Sequence, residues 1–282
     1  MNDISVFLSI LSMVLIAISD LFYKIYQKST SPSIGTFMAI QGTTFMIFVS
    51  SVALIEGFNI STIASVIACV CGILVFTSLT MFMVSLKGGE VVTNVATFRL
   101  NFVYAAVLSV FFLGELLTIY RIAGLALTTS AVLIFSRSEP KSSKNSESLL
   151  VAFIASVIFA VANTLYKVAL SIGSSASSFL TVQSIVYLIS SLVYSRAHEK
   201  SSFSFSKKTI YLAVACGVLQ ALAFLFMLWA LQCGVAIVVI PITQVSFILT
   251  ALLAIFLLKE KTNLYKIVAL FLAIGAIVFF AI

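Results

Sequence analysis

The sequence predicts an all-α integral membrane protein of ten transmembrane helices, arranged as two inverted five-helix repeats. Three observations carry this prediction. The 282 residues are 62% hydrophobic and 9% charged, with a mean hydropathy of +1.22, which is too little charge for a water-exposed globular surface. Ten stretches of roughly twenty residues are apolar enough to cross a hydrocarbon core of about 30 Å. The last five of these repeat the first five, in polar as well as apolar residues.

In chain order the spans fall near 4–27, 33–55, 62–86, 91–112, 118–136, 149–171, 176–195, 208–231, 235–258 and 263–282. Each is expected to be helical, because backbone in lipid has to satisfy its hydrogen bonds internally. No basic segment precedes the first run and no small-residue cleavage site follows it, so it reads as a retained helix rather than a signal peptide. Two connections are long, Arg137 to Ser148 (RSEPKSSKNSES) and Arg196 to Ser206 (RAHEKSSFSFS), and their Ser-rich, charged composition cannot pack a core. The first divides the chain into residues 1–136, a linker at 137–148, and residues 149–282.

The net charge of +7 does not point to nucleic acid, since the basic residues are scattered through connections. Lys28, Lys87, Arg137, Lys141, Lys144, Arg196, Lys200, Lys207, Lys208, Lys259, Lys261 and Lys266 lie in or beside connections 1–2, 3–4, 5–6, 7–8 and 9–10, while the other side carries Arg121. The positive-inside rule then makes those connections cytoplasmic and puts both termini outside. Cys69, Cys71, Cys216 and Cys233 lack metal-ligand spacing and read as small packing residues. His198 sits in a charged loop, and no nucleotide-binding or hydrolase motif is present, so neither a metal, a cofactor nor an enzymatic reaction is expected.

Shifting residues 111–135 by 145 positions lays FFLGELLTIYRIAGLALTTSAVLIF over FLLKEKTNLYKIVALFLAIGAIVFF, pairing Glu115 with Glu260, Tyr120 with Tyr265 and Arg121 with Lys266. A shift of 143 pairs DLFYK at 20–24 with NTLYK at 163–167, and a shift of 142 pairs Gln41 with Gln183. Because five is odd, the second copy enters the membrane from the opposite side. Inverted repeats of this kind place a substrate site between the halves near the midplane and expose it alternately to each side.

L-G-E at 113–115 and L-K-E at 258–260, each closing a helix before a last apolar span, resemble the EamA repeat of the drug/metabolite transporter superfamily over essentially the whole chain. The resemblance implies a central cavity between two five-helix halves and transport of small metabolites without ATP hydrolysis. A proline often found in the fourth helix of each repeat is matched by Pro241 in the second copy and replaced by Ala96 in the first. Ten-helix relatives are also commonly drawn with cytoplasmic termini, opposite to the charge count.

Polar side chains inside the spans mark the candidate site, because they are costly in lipid. On the first helix Ser5, Ser9, Ser12, Ser19, Asp20, Tyr23, Lys24 and Gln27 form one polar stripe, echoed on the sixth by Ser156, Asn163, Lys167 and Ser171. The early serines suit close helix packing. Lys24 and Lys167 suit either snorkelling to the interface or contact with substrate. Asp20 and Lys24, four apart, either neutralise each other or form a proton or substrate relay. Arg99 is the deepest charge; it fits an anionic group of a substrate or an ion pair with Asp20, and its repeat equivalent is Gln244. Asn94, Thr97, Asn101 and Tyr104 share another face of that helix. Gln41, Gln183, Gln220 and Gln244 supply neutral donors and acceptors. Glu115 and Glu260 read as helix-end hydrogen-bonding groups rather than transport groups.

The expected function is secondary transport of a small organic metabolite, with an amino acid or related zwitterion as the leading case. A multidrug or cation exporter and a lipid-linked headgroup flippase are the alternatives. The expected partners are the small-molecule substrate, the bilayer of the plasma (inner) membrane and a coupled proton or counter-substrate, with the protein a monomer or homodimer.

Overall fold

The computed structural model describes residues 3–27, 34–88, 91–137, 146–198, 206–258 and 263–281. Lys28, Lys141, Lys144, Lys200, Lys259, Lys261 and Glu260, which the charge and motif readings use, lie outside the described residues. Among those described, every regular element is helical: α1 (Asp3–Gln27), α2 (Ile34–Glu56), α3 (Thr62–Gly88), α4 (Val91–Arg99), α5 (Asn101–Leu113), α6 (Ile119–Phe135), α7 (Ser146–Ser171), α8 (Ala176–His198), α9 (Lys207–Cys233), α10 (Ala236–Gln244), α11 (Ser246–Leu258) and α12 (Leu264–Ala281).

Nine helical segments among the described residues are long and apolar enough to span a bilayer, counting α4 with α5 and α10 with α11 as one each. The tenth, α6, is equally apolar but has 17 residues, at the lower limit for a crossing of the hydrocarbon core.

The fourth and ninth spans are not the single continuous helices expected. Each breaks near its middle, at Leu100 and Val245, 145 residues apart. At both breaks one N–H is shared among carbonyls: Leu100 N reaches Ala96 O and Thr97 O at 3.3 Å, and Val245 N reaches Pro241 O and Ile242 O at 3.2 Å. The next turn is tight as well, Val103 N donating to Leu100 O and Ile248 N to Val245 O. In the second copy Pro241 removes a ladder donor one turn before the break. The first copy has Ala96 there and still breaks. Its ladder is interrupted instead by Asn101, whose Nδ2 donates to Phe98 O at 2.8 Å.

Helix bounds in the second half reproduce those of the first: α3, α4, α5 and the start of α6 recur 145 residues later as α9, α10, α11 and the start of α12. Packing obeys the same exchange. α1 lies along α9 as α7 lies along α3, α2 packs on its own counterpart α8, and α6 packs on its own counterpart α12. This is the pattern that a two-fold axis between the halves produces.

Two glycines set how closely two further repeat-related pairs approach, α3 with α8 and α9 with α2. A Cβ at Gly72 of α3 would stand 2.7 Å from Gln183 O, and one at its counterpart Gly217 of α9 would stand 2.8 Å from Gln41 O. Backbone thus meets backbone across each pair, as small residues permit in membrane helix packing. The serine stripe on α1 also faces inward: Ser5, Ser9, Ser12 and Ser19 are fully buried, Ser9 donating to Ser5 O and Ser12 to Ala223 O.

The exchange symmetry fails most between the two broken spans. α10 packs against α5, but among the described residues α4 has no comparable packing on α11. Around the first contact Ala106, Ile237, Val238, Ile242, Ala276 and Phe280 form an apolar plug. Where the second contact is lacking there is a cavity.

Candidate functional site

The cavity has a volume of about 190 Å³ and is walled by both halves. Its residues come from the C-terminal half of α1, the start of α2, the ends of α3 and α6, the middle of α7 and of α9, the start of α12, and both broken spans. Among the described residues it therefore opens toward connections 1–2, 3–4, 5–6 and 9–10, the basic side of the sequence. The plug between α5 and α10 closes the opposite side.

At the cavity floor the two breaks bring unlike residues of the two repeats together. Arg99, the last residue of α4, and Gln244, the last residue of α10, each stand one residue before a break. Arg99 Nη1 donates to Gln244 Oε1 at 3.1 Å, and Arg99 Nη2 forms an ion pair with Asp20 Oδ2. The side chains of this pair are 9% and 22% exposed, respectively. Thr250 Oγ1 stands 3.5 Å from the same carboxylate oxygen. Asn101 Nδ2 donates to Gln244 Oε1 at 3.2 Å, and Asn163 Nδ2 donates to Asn101 Oδ1 at 3.3 Å. A polar chain thus runs from α1 through both broken spans to α7. Arg99 Nε, buried and without a hydrogen-bond partner among the described residues, is its one unused guanidinium donor of this kind. A buried charge pair of this sort is held by geometry, since desolvation offsets much of its Coulombic gain.

Above the floor the wall is apolar, with Phe82, Phe98, Phe135, Phe159, Phe224 and Phe247 together with Met38, Met83 and Met227. Lys24 and Lys266 also line it. Among the described residues the lining therefore carries, with Asp20 and Arg99, three cationic groups and one anionic group, a balance that attracts a carboxylate or other anion.

Of the residues singled out from sequence, Asp20, Tyr23, Lys24, Arg99, Gln220 and Gln244 line this cavity. Gln41 and Gln183 line a smaller one of about 30 Å³, shared with Gln220 and with Tyr187. Tyr23 OH donates to Gln41 Oε1 at 2.6 Å, and Gln41 Nε2 donates to Gln220 Oε1 at 2.7 Å, so the two cavities meet at one hydrogen-bonded set. The repeat counterpart of the Tyr23–Gln41 pair is Tyr166 and Gln183, joined at 3.1 Å.

Asn101 and Asn163 lie behind the floor, fully buried. Asn94 is turned away, its Nδ2 donating to Ser85 O at 2.7 Å, and so joins α4 to the end of α3. Lys167 lines neither cavity: its Nζ donates to the carbonyls of Leu231 and Gly234 on the sealed side. Sequence reasoning omitted Lys266, Thr250 and the phenylalanine wall from the site. Lys266 is visible in sequence only as a loop-flanking charge, and apolar residues on an apolar helix give no periodic contrast to mark a wall.

A bundle of ten spans in two matched halves, with one polar-floored cavity between them, defines a multi-pass membrane transporter. Residues 3–137 and 147–282 each match the model of the EamA-like transporter family. The chain belongs to that family, within the drug/metabolite transporter superfamily, and both of its repeats are present. No curated protein matches the chain. A solved structure titled only "Crystal structure of protein" superposes with a TM-score of 0.80 at 15% identity, over 98% of this chain and 94% of that one. At that identity the likeness shows the shared fold.

Proposed function

We propose that the protein is a secondary carrier for a small zwitterionic or anionic metabolite with an apolar body, an amino acid being the simplest case. The observation that supports this most is the composition of the cavity. A paired Asp20 and Arg99 with excess positive charge suit a carboxylate and an ammonium group on one molecule, and six phenylalanines suit an apolar side chain. Asp20, Lys24 and Arg99 receive the charged end. Gln244, Gln220 and Tyr23 fix its orientation. The carrier works by exposing this site alternately to the two sides, without a chemical step.

In this reading the protein resides in the plasma (inner) membrane, with connections 1–2, 3–4, 5–6, 7–8 and 9–10 cytoplasmic. The cavity then faces the cytoplasm. Cysteines placed at Ser206 and at Asn59, in a cysteine-free background, test the orientation. Impermeant reagent added to intact cells should label the Asn59 position and spare the Ser206 position, and the reverse pattern inverts the assignment.

The transport reading is tested by uptake into proteoliposomes of a panel of amino acids, sugars, nucleotides and lipophilic cations. Saturable uptake of an apolar amino acid, competed by other zwitterions, is expected. The phenylalanine and methionine wall also suits lipophilic cations drawn to Asp20. Uptake confined to that arm of the panel would make the protein a multidrug exporter instead.

A further inference from the structure

The repeat register sorts the residues that line the cavities into two kinds. Leu79 and Phe224, Phe82 and Met227, and Arg99 and Gln244 are counterparts in the two halves, and both members of each pair line the large cavity. The small cavity is built of such pairs throughout: its ten residues form five, among them Gln41 with Gln183 and Phe45 with Tyr187. A wall supplied by both members of a pair lies on the axis that relates the halves. Residues of the second kind line the large cavity while their counterparts are shut away. Phe247, Thr250 and Ala251 of α11 face it, whereas Phe102, Ala105 and Ala106 of α5 are buried. Phe135 faces it, whereas Phe280 belongs to the plug. Asp20 faces it, whereas Asn163 is fully buried behind the floor.

A carrier built of inverted repeats reaches its other state when the two halves trade conformations. Axial pairs keep their place under that exchange, because each member moves into its partner's position. Residues of the second kind change places with their buried counterparts. Asp20 then stands where Asn163 stands now, beside the residue that takes the place of Asn101. That residue is Ser246. Asn163 donates to Asn101 Oδ1 in the present state, whereas Ser246 Oγ is buried and has no hydrogen-bond partner among the described residues. The exchange supplies this idle hydroxyl with the Asp20 carboxylate as acceptor, which accounts for an otherwise costly unpaired group.

We propose that the face sealed here carries a second binding vestibule, lined by Phe102, Ala105, Ala106, Asn163 and Phe280, which shares Arg99 and Gln244 with the present cavity but not Asp20. Its ligand is a carboxylate, which Arg99 holds from either side. An ammonium group on the same molecule meets the Asp20 carboxylate from the cavity side and the neutral Asn163 carboxamide from the other. The carrier therefore tells an amino acid from the matching α-hydroxy acid on one side only. The assignment rests on the alternating-access reading above, and half of its test needs no substrate.

Leu79→Cys, Thr250→Cys and Ala105→Cys on a cysteine-free background report on the axial wall, the present cavity and the second vestibule. Impermeant alkylating reagent is applied to right-side-out and to inside-out membrane vesicles. Leu79→Cys should label from both faces, Thr250→Cys from one face, and Ala105→Cys from the opposite face. Ala251→Cys and Ala106→Cys repeat the last two measurements one position on, in case Ala105→Cys fails to fold. Counterparts in α5 that label from neither face, or from the same face as α11, overturn the vestibule, as does labelling of every position from both faces. Leucine and its α-hydroxy acid then compete against labelled leucine in initial-rate uptake by the same vesicles. From the face that reaches Thr250→Cys, leucine should compete roughly tenfold better, as for one charge-assisted interaction. From the opposite face the two should compete equally. A preference at both faces, or at neither, overturns the one-sided role of Asp20. The expected labelling in vesicles that take up no leucine would retain the vestibule and sink the amino-acid reading, together with the ligand assigned here.

Discussion

Lys24 and Lys167 hold the same position in the two repeats, yet one lines an open cavity and the other is tied to two carbonyls at a closed end. Arg99 and Gln244 show the converse: they differ in sequence and meet side by side at the cavity floor. The duplicated lysines are thus placed differently, while the pair that breaks the duplication lies next to the symmetry axis. The physical reason is that an axis residue contacts its own counterpart. Two arginines there would repel in a nearly dry site, and an arginine against a glutamine does not. Identical residues at the two ends of the bundle serve opposite faces, and a molecule open on one side has to place those unequally.

The comparison at the floor can be broken most severely through Asp20. Asp20→Asn leaves the Arg99 guanidinium without its counter-charge and is expected to cost about 3 kcal/mol of stability, read from the midpoint of denaturant unfolding in detergent. The double variant Asp20→Asn with Arg99→Gln should recover most of that loss, and failure to recover would mean that the pair is not what the fold depends on.

Arg99→Gln alone makes the two repeats identical at this position. Because the other half folds with glutamine there and Asp20 can take up a proton, insertion and folding should remain close to parental. Apparent affinity for a zwitterion in proteoliposomes should fall by about ten- to a hundredfold, the equivalent of roughly 1.5–3 kcal/mol from one charge-assisted interaction. Parental transport by this variant would place Arg99 outside the site.

The matched glycines sharpen the comparison at the packing level. Gly72→Ala and Gly217→Ala each push a methyl against a facing carbonyl, and each should destabilise by about 1–2 kcal/mol. Near-equal losses are expected because the contacts are repeat images. A loss in one and none in the other would show that the halves do not pack equivalently.

The smallest effect belongs to the break in the ninth span. Pro241→Ala copies Ala96 of the first repeat, whose span breaks without a proline. Stability should change by less than about 1 kcal/mol, and transport should stay within a few-fold of parental. A large loss of transport would show that the two breaks have different origins.

Much of the architecture was legible in the chain. Apolar runs located the spans because lipid leaves backbone no alternative to the helix, and the register of Glu115 with Glu260 and Lys24 with Lys167 revealed the duplication. The Asp20–Arg99 pairing was one of two options the sequence left open. The breaks were missed because interruption of one turn leaves the hydropathy of a span unchanged, and the 100° rule was carried through Leu100 as though the helix continued. Lys167 was grouped with the candidate site because an amino group in a membrane span has few expected partners, and the exposed carbonyls ending α9 were not among those considered.

By itself, then, the sequence determined the solvent, the number and order of spans, the two-fold repeat and the inventory of polar groups available inside the membrane. These follow from local composition and from matching one half against the other. Which polar groups share a cavity, which tie helix ends together, and which side is open were decided by tertiary structure alone. Each depends on contacts between helices from different repeats, and those are set by close packing at Gly72 and Gly217 and by the seal of α10 on α5, neither of which leaves a periodic trace along the chain.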